Sequence, residues 1–283
     1  MKLFYDEFDL PIAAKLRDPR LAWLLELGAE EISRAAVDDE GFLFAYQHGD
    51  DARYRELVAD RPRIFDRPET RAELFRLDAV LERLADRGVD MPTPRTWKLE
   101  VDDPPPADLT FPLFVRTPKS SWKRGGTQAR ARNLKELDDE IDLLRRAFGW
   151  DMPILAREWI DVAVAGKYMF GDAPQEVRVW LVDGRPVAWS FHYLHVVATP
   201  RGFPLKPNDT DQLADMAAKI GAAFDARLVV ADFIRDRAGK WWFLEAGPGS
   251  AAGTAHQEVF QYVARRLRGE NPPLVGDAVG ASF

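Results

Sequence analysis

The chain has 283 residues, 46% hydrophobic, 30% charged and 11% aromatic, enough to bury a sizeable core in one large or two medium domains. A formal net charge of −7 argues against general attraction to nucleic acid or anionic membranes, so any basic cluster is a local feature. Zero cysteines exclude disulfides, thiol catalysis and thiolate zinc sites. With no apolar run near the ~20 residues of a membrane span, and no signal-peptide pattern at Met1–Asp6, the expectation is a cytoplasmic protein without a membrane partner.

Residues 1–70 read as a small α/β region. An apolar-patterned segment from Ile12 to Leu27, closed by Gly28, has helical spacing, and Gly41 to Tyr46 has the pattern of a strand. No chemistry stands out there. From Pro68 the pattern sharpens: Leu74, Leu77, Leu81 and Leu84 recur at helical spacing, Val80 widens the stripe, and Gly88 stands at the expected stop. Pro92 and Pro94 make a rigid connector, and Arg95 to Glu100 can form a short strand after it.

Phe111 to Val115 predicts a strand with Arg116 at its end. A basic loop follows, Lys119-Ser120-Ser121-Trp122-Lys123-Arg124-Gly125-Gly126, and then a helix capped by Asn133 with Glu136 three positions on. Strand, Gly-Ser loop and helix make a plausible phosphate cradle. Gly125 and Gly126 let backbone amides approach closely, Ser120 and Ser121 can donate, and Lys119 and Lys123 can neutralise charge. It is not a Walker loop, because no Gly-Lys-Ser or Gly-Lys-Thr closes it. A solvated basic surface loop has the same composition, and single-strand nucleic-acid binding through Trp122 fits the acidic chain poorly.

Pro153 to Asp161 is a further strand, containing Arg157, Glu158, Trp159 and Ile160. Glu176–Val182 and Arg185–Phe191 flank Asp183-Gly184, the strongest hairpin signal in the chain. It puts Val177, Val179 and Leu181 on one face and Glu176, Arg178 and Trp180 on the other. His192 and His195 would fall on opposite faces of a strand and read as ordinary polar positions. Asp211 begins a helix with Leu213, Met216, Ile220 and Phe224 at core spacing.

Two β-prone runs then carry one carboxylate each: Leu228–Ile234 with Asp232, and Trp241–Glu245 with Glu245. With Asp236–Gly239 as a four-residue loop, Arg235 faces Lys240 and Asp232 faces Phe243. Asp232 and Glu245 then lie diagonally on one face, Cα atoms roughly 7–8 Å apart. A hard cation, Mg²⁺ above all, is the natural occupant, sharing its other positions with phosphates and water. Gly247–Gly253 is glycine-rich, but too little chain follows it for a dinucleotide-binding βαβ unit, and Thr254 to Arg268 reads as a terminal helix.

In the order of these elements the chain resembles the ATP-grasp superfamily over roughly Ala72 to Arg268. The resemblance implies an α+β ATP-grasp fold: two α+β lobes, 71–161 and 162–283, clasping ATP, preceded by the 1–70 region. It implies that Arg116, Lys119 and Lys123 contact phosphates beneath a mobile lid of Ser120, Ser121, Gly125 and Gly126. Arg157, Glu158, Trp159 and Ile160 would form the adenine hinge, Arg178 would touch the γ-phosphate or an acyl phosphate, and Asp232 and Glu245 would hold Mg²⁺. Lys123 and Arg178 are the implied catalytic cations. The chain is also similar to an ATP-grasp clade that includes phage-associated peptide-ligase-like proteins and assembly chaperones of a translation initiation factor.

The implied activity is ATP-dependent joining of a small-molecule or peptide carboxylate to an amine through an acyl phosphate. The alternative is a non-catalytic ATP-binding assembly factor of the same fold. Two positions depart from the superfamily pattern: Arg116 stands where Lys is common, and Gly247 where Asn commonly supplies a further metal ligand.

Overall fold

The computed structural model describes residues 1–7, 19–45, 51–101, 103–119, 129–168, 171–191, 203–254 and 256–272. Among them, no helix is long and apolar enough to cross a membrane. The chain begins with β1 (Lys2–Tyr5), α1 (Arg20–Glu26), β2 (Glu30–Glu31), β3 (Gly41–Phe44), α2 (Asp51–Val58) and β4 (Ile64–Phe65). The strands form a parallel sheet of order β2-β1-β3-β4. Both faces of a parallel sheet must be covered, and the alternation shows how. Phe4 and Leu43 bury with Tyr54 and Leu57 of α2, whereas Leu3, Phe42 and Phe44 bury with Trp180, Val230 and Phe260 from the C-terminal part of the chain.

The stripe that starts at Pro68 is two helices, α3 (Pro68–Leu74) and α4 (Leu77–Asp86). Arg76 is extended between them (φ −118°, ψ 111°), which turns the Leu77 amide onto the Pro118 carbonyl at 2.9 Å. Leu74, Val80 and Leu84 pack into the core of the C-terminal sheet.

A second sheet, of order β5-β8-β6-β7, is antiparallel: β5 (Thr96–Leu99), β6 (Leu113–Arg116), β7 (Arg130–Ala131) and β8 (Ile154–Glu158). Helix α5 (Leu134–Phe148) covers one face, burying Leu137, Ile141 and Leu144 against Trp97, Leu113, Val115, Ile154 and Ala156. It starts where the cap predicts, with the Asn133 side chain accepting the Glu136 amide at 3.0 Å. The alternation leaves Thr96, Phe114, Arg116, Leu155 and Arg157 on the opposite face.

The small hairpin of β9 (Val164–Tyr168) and β10 (Gly171–Pro174) leads to a third sheet. Its members are β11 (Glu176–Val182), β12 (Arg185–Phe191), β13 (Leu228–Arg235) and β14 (Trp241–Pro248), antiparallel in the order β12-β11-β13-β14. Helix α6 (Pro207–Ala223) covers one face, and α7 (Gln257–Leu267) helps cover the other together with α1. Helix α6 starts at Pro207 rather than Asp211: proline occupies the first turn, and the Asp209 side chain accepts the Lys206 amide at 3.0 Å. The Asp183-Gly184 turn forms as expected, both residues at positive φ (50° and 74°).

The β13–β14 register differs from expectation. Arg235 faces Trp241, not Lys240, so the loop holds five residues, and the pairing shifts by one more between Phe233 and Asp232. Phe233 faces Phe243 and Asp232 faces Glu245, which leaves Leu244 as a β-bulge. The buried set records the change: Trp241, Phe243 and then Ala246 join one core, a break in the two-residue period at the bulge.

Candidate active site

Three neighbouring strands place Arg178, Asp232 and Glu245 in one row, since Arg178 pairs with Asp232 across β11–β13 and Asp232 pairs with Glu245 across β13–β14. The face of the second sheet opposite α5 supplies the fourth member, Arg116. Its Nη1 donates to Glu245 Oε2 at 2.5 Å, and its Nε donates to the Thr117 carbonyl at 3.1 Å. Arg178 donates from Nε and Nη2 to the two oxygens of Asp232 at 2.8 and 2.7 Å, and from Nη1 to the Gly253 carbonyl at 2.7 Å. Charge along the row therefore runs plus, minus, minus, plus. Two carboxylates directly opposite on a sheet repel, and here each is neutralised by its own guanidinium.

Arg116, Arg178 and Asp232 are buried, at 5%, 8% and 2% exposure, and the Glu245 side chain is 32% exposed. Burial acts to raise the Glu245 carboxyl, but Arg116, then Arg178 and Arg157, hold it below its ordinary value. Burial opposes the charge on Arg178, yet Asp232, followed by Glu245 and Glu176, more than offsets this and holds the guanidinium above its ordinary value. Burial, reinforced by Arg116, lowers Arg157 to about 9, so it remains a cation at pH 7.

Arg157 reaches the edge of this cluster with its donors turned elsewhere. Nε donates to Thr96 Oγ1 at 3.1 Å and Nη1 to the Leu244 carbonyl at 2.7 Å, with Nη2 3.5 Å from the Phe243 carbonyl. At the predicted hinge, the Glu158 amide donates to the Arg95 carbonyl at 2.8 Å and the Trp159 amide to Pro112 at 3.2 Å. Ile160 follows, beyond the end of β8. The Trp159 ring lies under the Arg130 guanidinium at 4.5 Å. The chain then crosses to the tip of the β13–β14 hairpin, where Ala163 donates to Arg235 at 2.8 Å and Arg237 to Asp161 at 3.0 Å. Lys119 is exposed three residues beyond Arg116. Ser120, Ser121, Lys123, Gly125 and Gly126, like His192 and His195, lie outside the described residues.

Asp232 and Glu245 fit a cation held by one or two carboxylates that shares its remaining positions with phosphates and water. An all-protein cage is not built here: the described residues contain no group of three or more acidic or imidazole side chains that could hold a metal. Gly247 pairs with Val230 and offers no side-chain ligand, although a Cβ there would make only an ordinary 3.8 Å contact with Val230. Both carboxylates are engaged by arginines, Asp232 by Arg178 and Glu245 by Arg116.

Sequence reasoning missed two features. Ile234 and Trp242 continue the Asp232 face toward the crossover, and the alternation of β13 alone could have shown this for Ile234. The Gly253 carbonyl, in the glycine-rich segment after β14, anchors Arg178, and no sequence signal marks that contact.

A family model described as ATP-grasp domain, R2K clade family 3, matches residues 100–267. Comparison with curated proteins by sequence gives no match. Among solved structures, the fold is similar to a D-alanine–D-alanine ligase from Bacillus anthracis complexed with ATP, with TM-score 0.61 and 12% identity over 88% of this chain and 85% of that one. It is also similar to the VanG D-Ala:D-Ser ligase from Enterococcus faecalis, with TM-score 0.57 and 15% identity over 82% of this chain and 72% of that one.

Proposed function

Because this chain belongs to the ATP-grasp domains of the R2K clade, family 3, we propose that it is an ATP-dependent carboxylate–amine ligase working at the Arg116–Glu245–Asp232–Arg178 cluster. The observation that carries this reading is the cluster itself: two arginines and two carboxylates, drawn from two different sheets, with each carboxylate hydrogen-bonded to its own guanidinium. The ligases of similar fold support it.

In this reading ATP lies between residues 71–161 and 162–283. The Ile160 amide reads the adenine edge, with Ile234 and Trp242 beneath the base. The triphosphate runs toward Arg116, Arg178, Lys119 and the Lys123 loop. Mg²⁺, held by Asp232 and Glu245 when bound, would supply further charge neutralisation on the phosphates. A substrate carboxylate oxygen attacks the γ-phosphorus as the bond to the β,γ-bridging oxygen breaks, giving an acyl phosphate and ADP. The amine then adds to the acyl carbon, phosphate departs with its C–O bond electrons, and the proton lost from the amine passes to the departing phosphate or to water. Arg178 and Arg116 act by position and charge, stabilising negative charge as it moves onto the leaving oxygen.

Gly247 favours a second reading, an ATP-binding assembly factor that does not ligate, because it removes a side-chain metal ligand from a site whose two carboxylates are already paired. Purified protein incubated with Mg-ATP and pooled amino acids separates the two. Acceptor-dependent phosphate release, lost in Asp232→Asn, is the result expected of the ligase. Tight ATP binding without such release supports the assembly factor, and unchanged activity in Asp232→Asn would remove the metal assignment.

A further inference from the structure

The bulge at Leu244 decides where Glu245 points. From the turn, residues on β13 and β14 pair with Arg235 facing Trp241, Ile234 facing Trp242 and Phe233 facing Phe243. Continued without interruption, that register would set Asp232 opposite Leu244 and Ala231 opposite Glu245. Ala231 lies in the core under α6, so Glu245 would be driven into an apolar interior, away from Asp232. One extra residue reverses the parity and returns Glu245 to the Asp232 face.

A bulge leaves backbone groups outside the ladder, and these need partners. In a regular strand consecutive carbonyls point to opposite edges. Here the carbonyls of Phe243 and Leu244 both lie toward the single guanidinium of Arg157, the Leu244 oxygen at 2.7 Å and the Phe243 oxygen at 3.5 Å. Arg157 is 2% exposed, is oriented by Thr96 Oγ1 at 3.1 Å, and comes from the other sheet. The edge of β14 is closed beside it by the Phe243 amide, which donates to Pro92 at 2.8 Å.

The geometry points to Arg157 as a positioning residue that pins the β14 bulge and thereby aims Glu245 at Asp232, rather than as a ligand of the nucleotide. The assignment rests on the ATP-grasp reading for what Glu245 then binds, but the pin itself is a property of the protein alone. Arg157 acts on Glu245 as an outer partner acts on a metal ligand, a class of contact whose loss typically costs about 10–100-fold in metal affinity.

Two measurements test this on the full chain with Arg157→Gln, with Arg157→Lys, and with Thr96→Val as a variant that loosens Arg157 without touching β14. Amide hydrogen exchange without nucleotide should accelerate over Phe243–Glu245 in Arg157→Gln, less so in Thr96→Val, and be partly restored by Lys. The Mg²⁺ concentration giving half-maximal ATP binding should rise about 10–100-fold in Arg157→Gln, with ATP affinity recovered at saturating Mg²⁺. In a Glu245→Gln background, Arg157→Gln should cost nothing further. Unchanged exchange at Leu244 and Glu245 would overturn the pin. Losses that add across the double variant would make Arg157 a nucleotide ligand. If wild-type protein binds no Mg-ATP, the functional reading fails, and the exchange measurement still decides the pin.

Discussion

Replacing Arg178 by methionine tests whether the charge row is held by compensation. Arg178 is 8% exposed and Asp232 2%, and they share two hydrogen bonds of 2.8 and 2.7 Å. Removing the guanidinium strands a buried carboxylate directly opposite Glu245, which costs about 3–5 kcal/mol, and the Gly253 carbonyl loses a donor worth about 1 kcal/mol. We therefore expect Arg178→Met to lose about 4–6 kcal/mol of stability, which in a domain of ordinary stability brings it near unfolding at 25 °C. The double variant Arg178→Met/Asp232→Leu replaces the pair by two apolar side chains and should recover all but ~1 kcal/mol, the remainder being the Gly253 contact. Urea denaturation followed by tryptophan fluorescence and circular dichroism measures both. Mg²⁺ should stabilise the single variant and leave the double unaffected, because only the single presents a carboxylate in need of a cation. If the double variant is as unstable as the single, the stranded charge is not the cause and the row is held by packing.

Asp66 is buried at positive φ (66°), accepts the Arg227 amide at 2.9 Å, and is pushed up to about 7 by burial, against those backbone contacts. The native state then holds a proton that the unfolded chain, at 3.8, has lost, so ionisation of the unfolded chain lowers stability progressively as pH rises between these values. Asparagine tolerates this backbone and keeps an acceptor, so the stability gain of Asp66→Asn should grow by up to about 1.4 kcal/mol per pH unit from pH 4 to pH 7 and then level off. A gain independent of pH, in urea midpoints taken across that range, would contradict it. Gly221 in α6 sits against the Asp183-Gly184 turn, where an added Cβ would lie 2.3 Å from the Gly184 carbonyl oxygen. Gly221→Ala should therefore destabilise by about 1–3 kcal/mol despite its better helix propensity, read as a lowered thermal midpoint.

Period and punctuation made much of the fold legible. The Asn133 cap, the Asp183-Gly184 turn and the alternation of β11 each rest on local chemistry, and each forms as expected. The break at Arg76 depends on a tertiary partner, Pro118, whereas the early start of α6 rests on local capping by Pro207 and by the Asp209 side chain on the Lys206 amide, and neither is written in the apolar stripe. The co-facial placement of Asp232 and Glu245 was reached through an incorrect register. The loop is one residue longer than expected and the bulge adds one more, so two shifts of parity cancel and the carboxylates share a face as direct neighbours instead of diagonal ones. Neither shift is written in hydrophobic spacing, because a bulge is fixed by what receives its unpaired carbonyls. Here that is Arg157, which is 87 residues away in sequence from Leu244.

On the proposed function, the same contact bears on how a nucleotide would enter. Arg116 and Arg178 each pair with one carboxylate, Glu245 and Asp232, so the two ion pairs compensate one another. A bare triphosphate would have to draw Arg116 and Arg178 away from Glu245 and Asp232, leaving two carboxylates unpaired beside it, each at a cost of several kcal/mol. A triphosphate arriving with Mg²⁺ brings both halves of the exchange, phosphate for the arginines and a cation for the carboxylates. On that proposal the pairing would favour the metal complex over the free nucleotide without a third protein ligand. On this account Gly247 weakens the metal site less than its missing side chain suggests, provided that Arg157 keeps Glu245 turned toward Asp232.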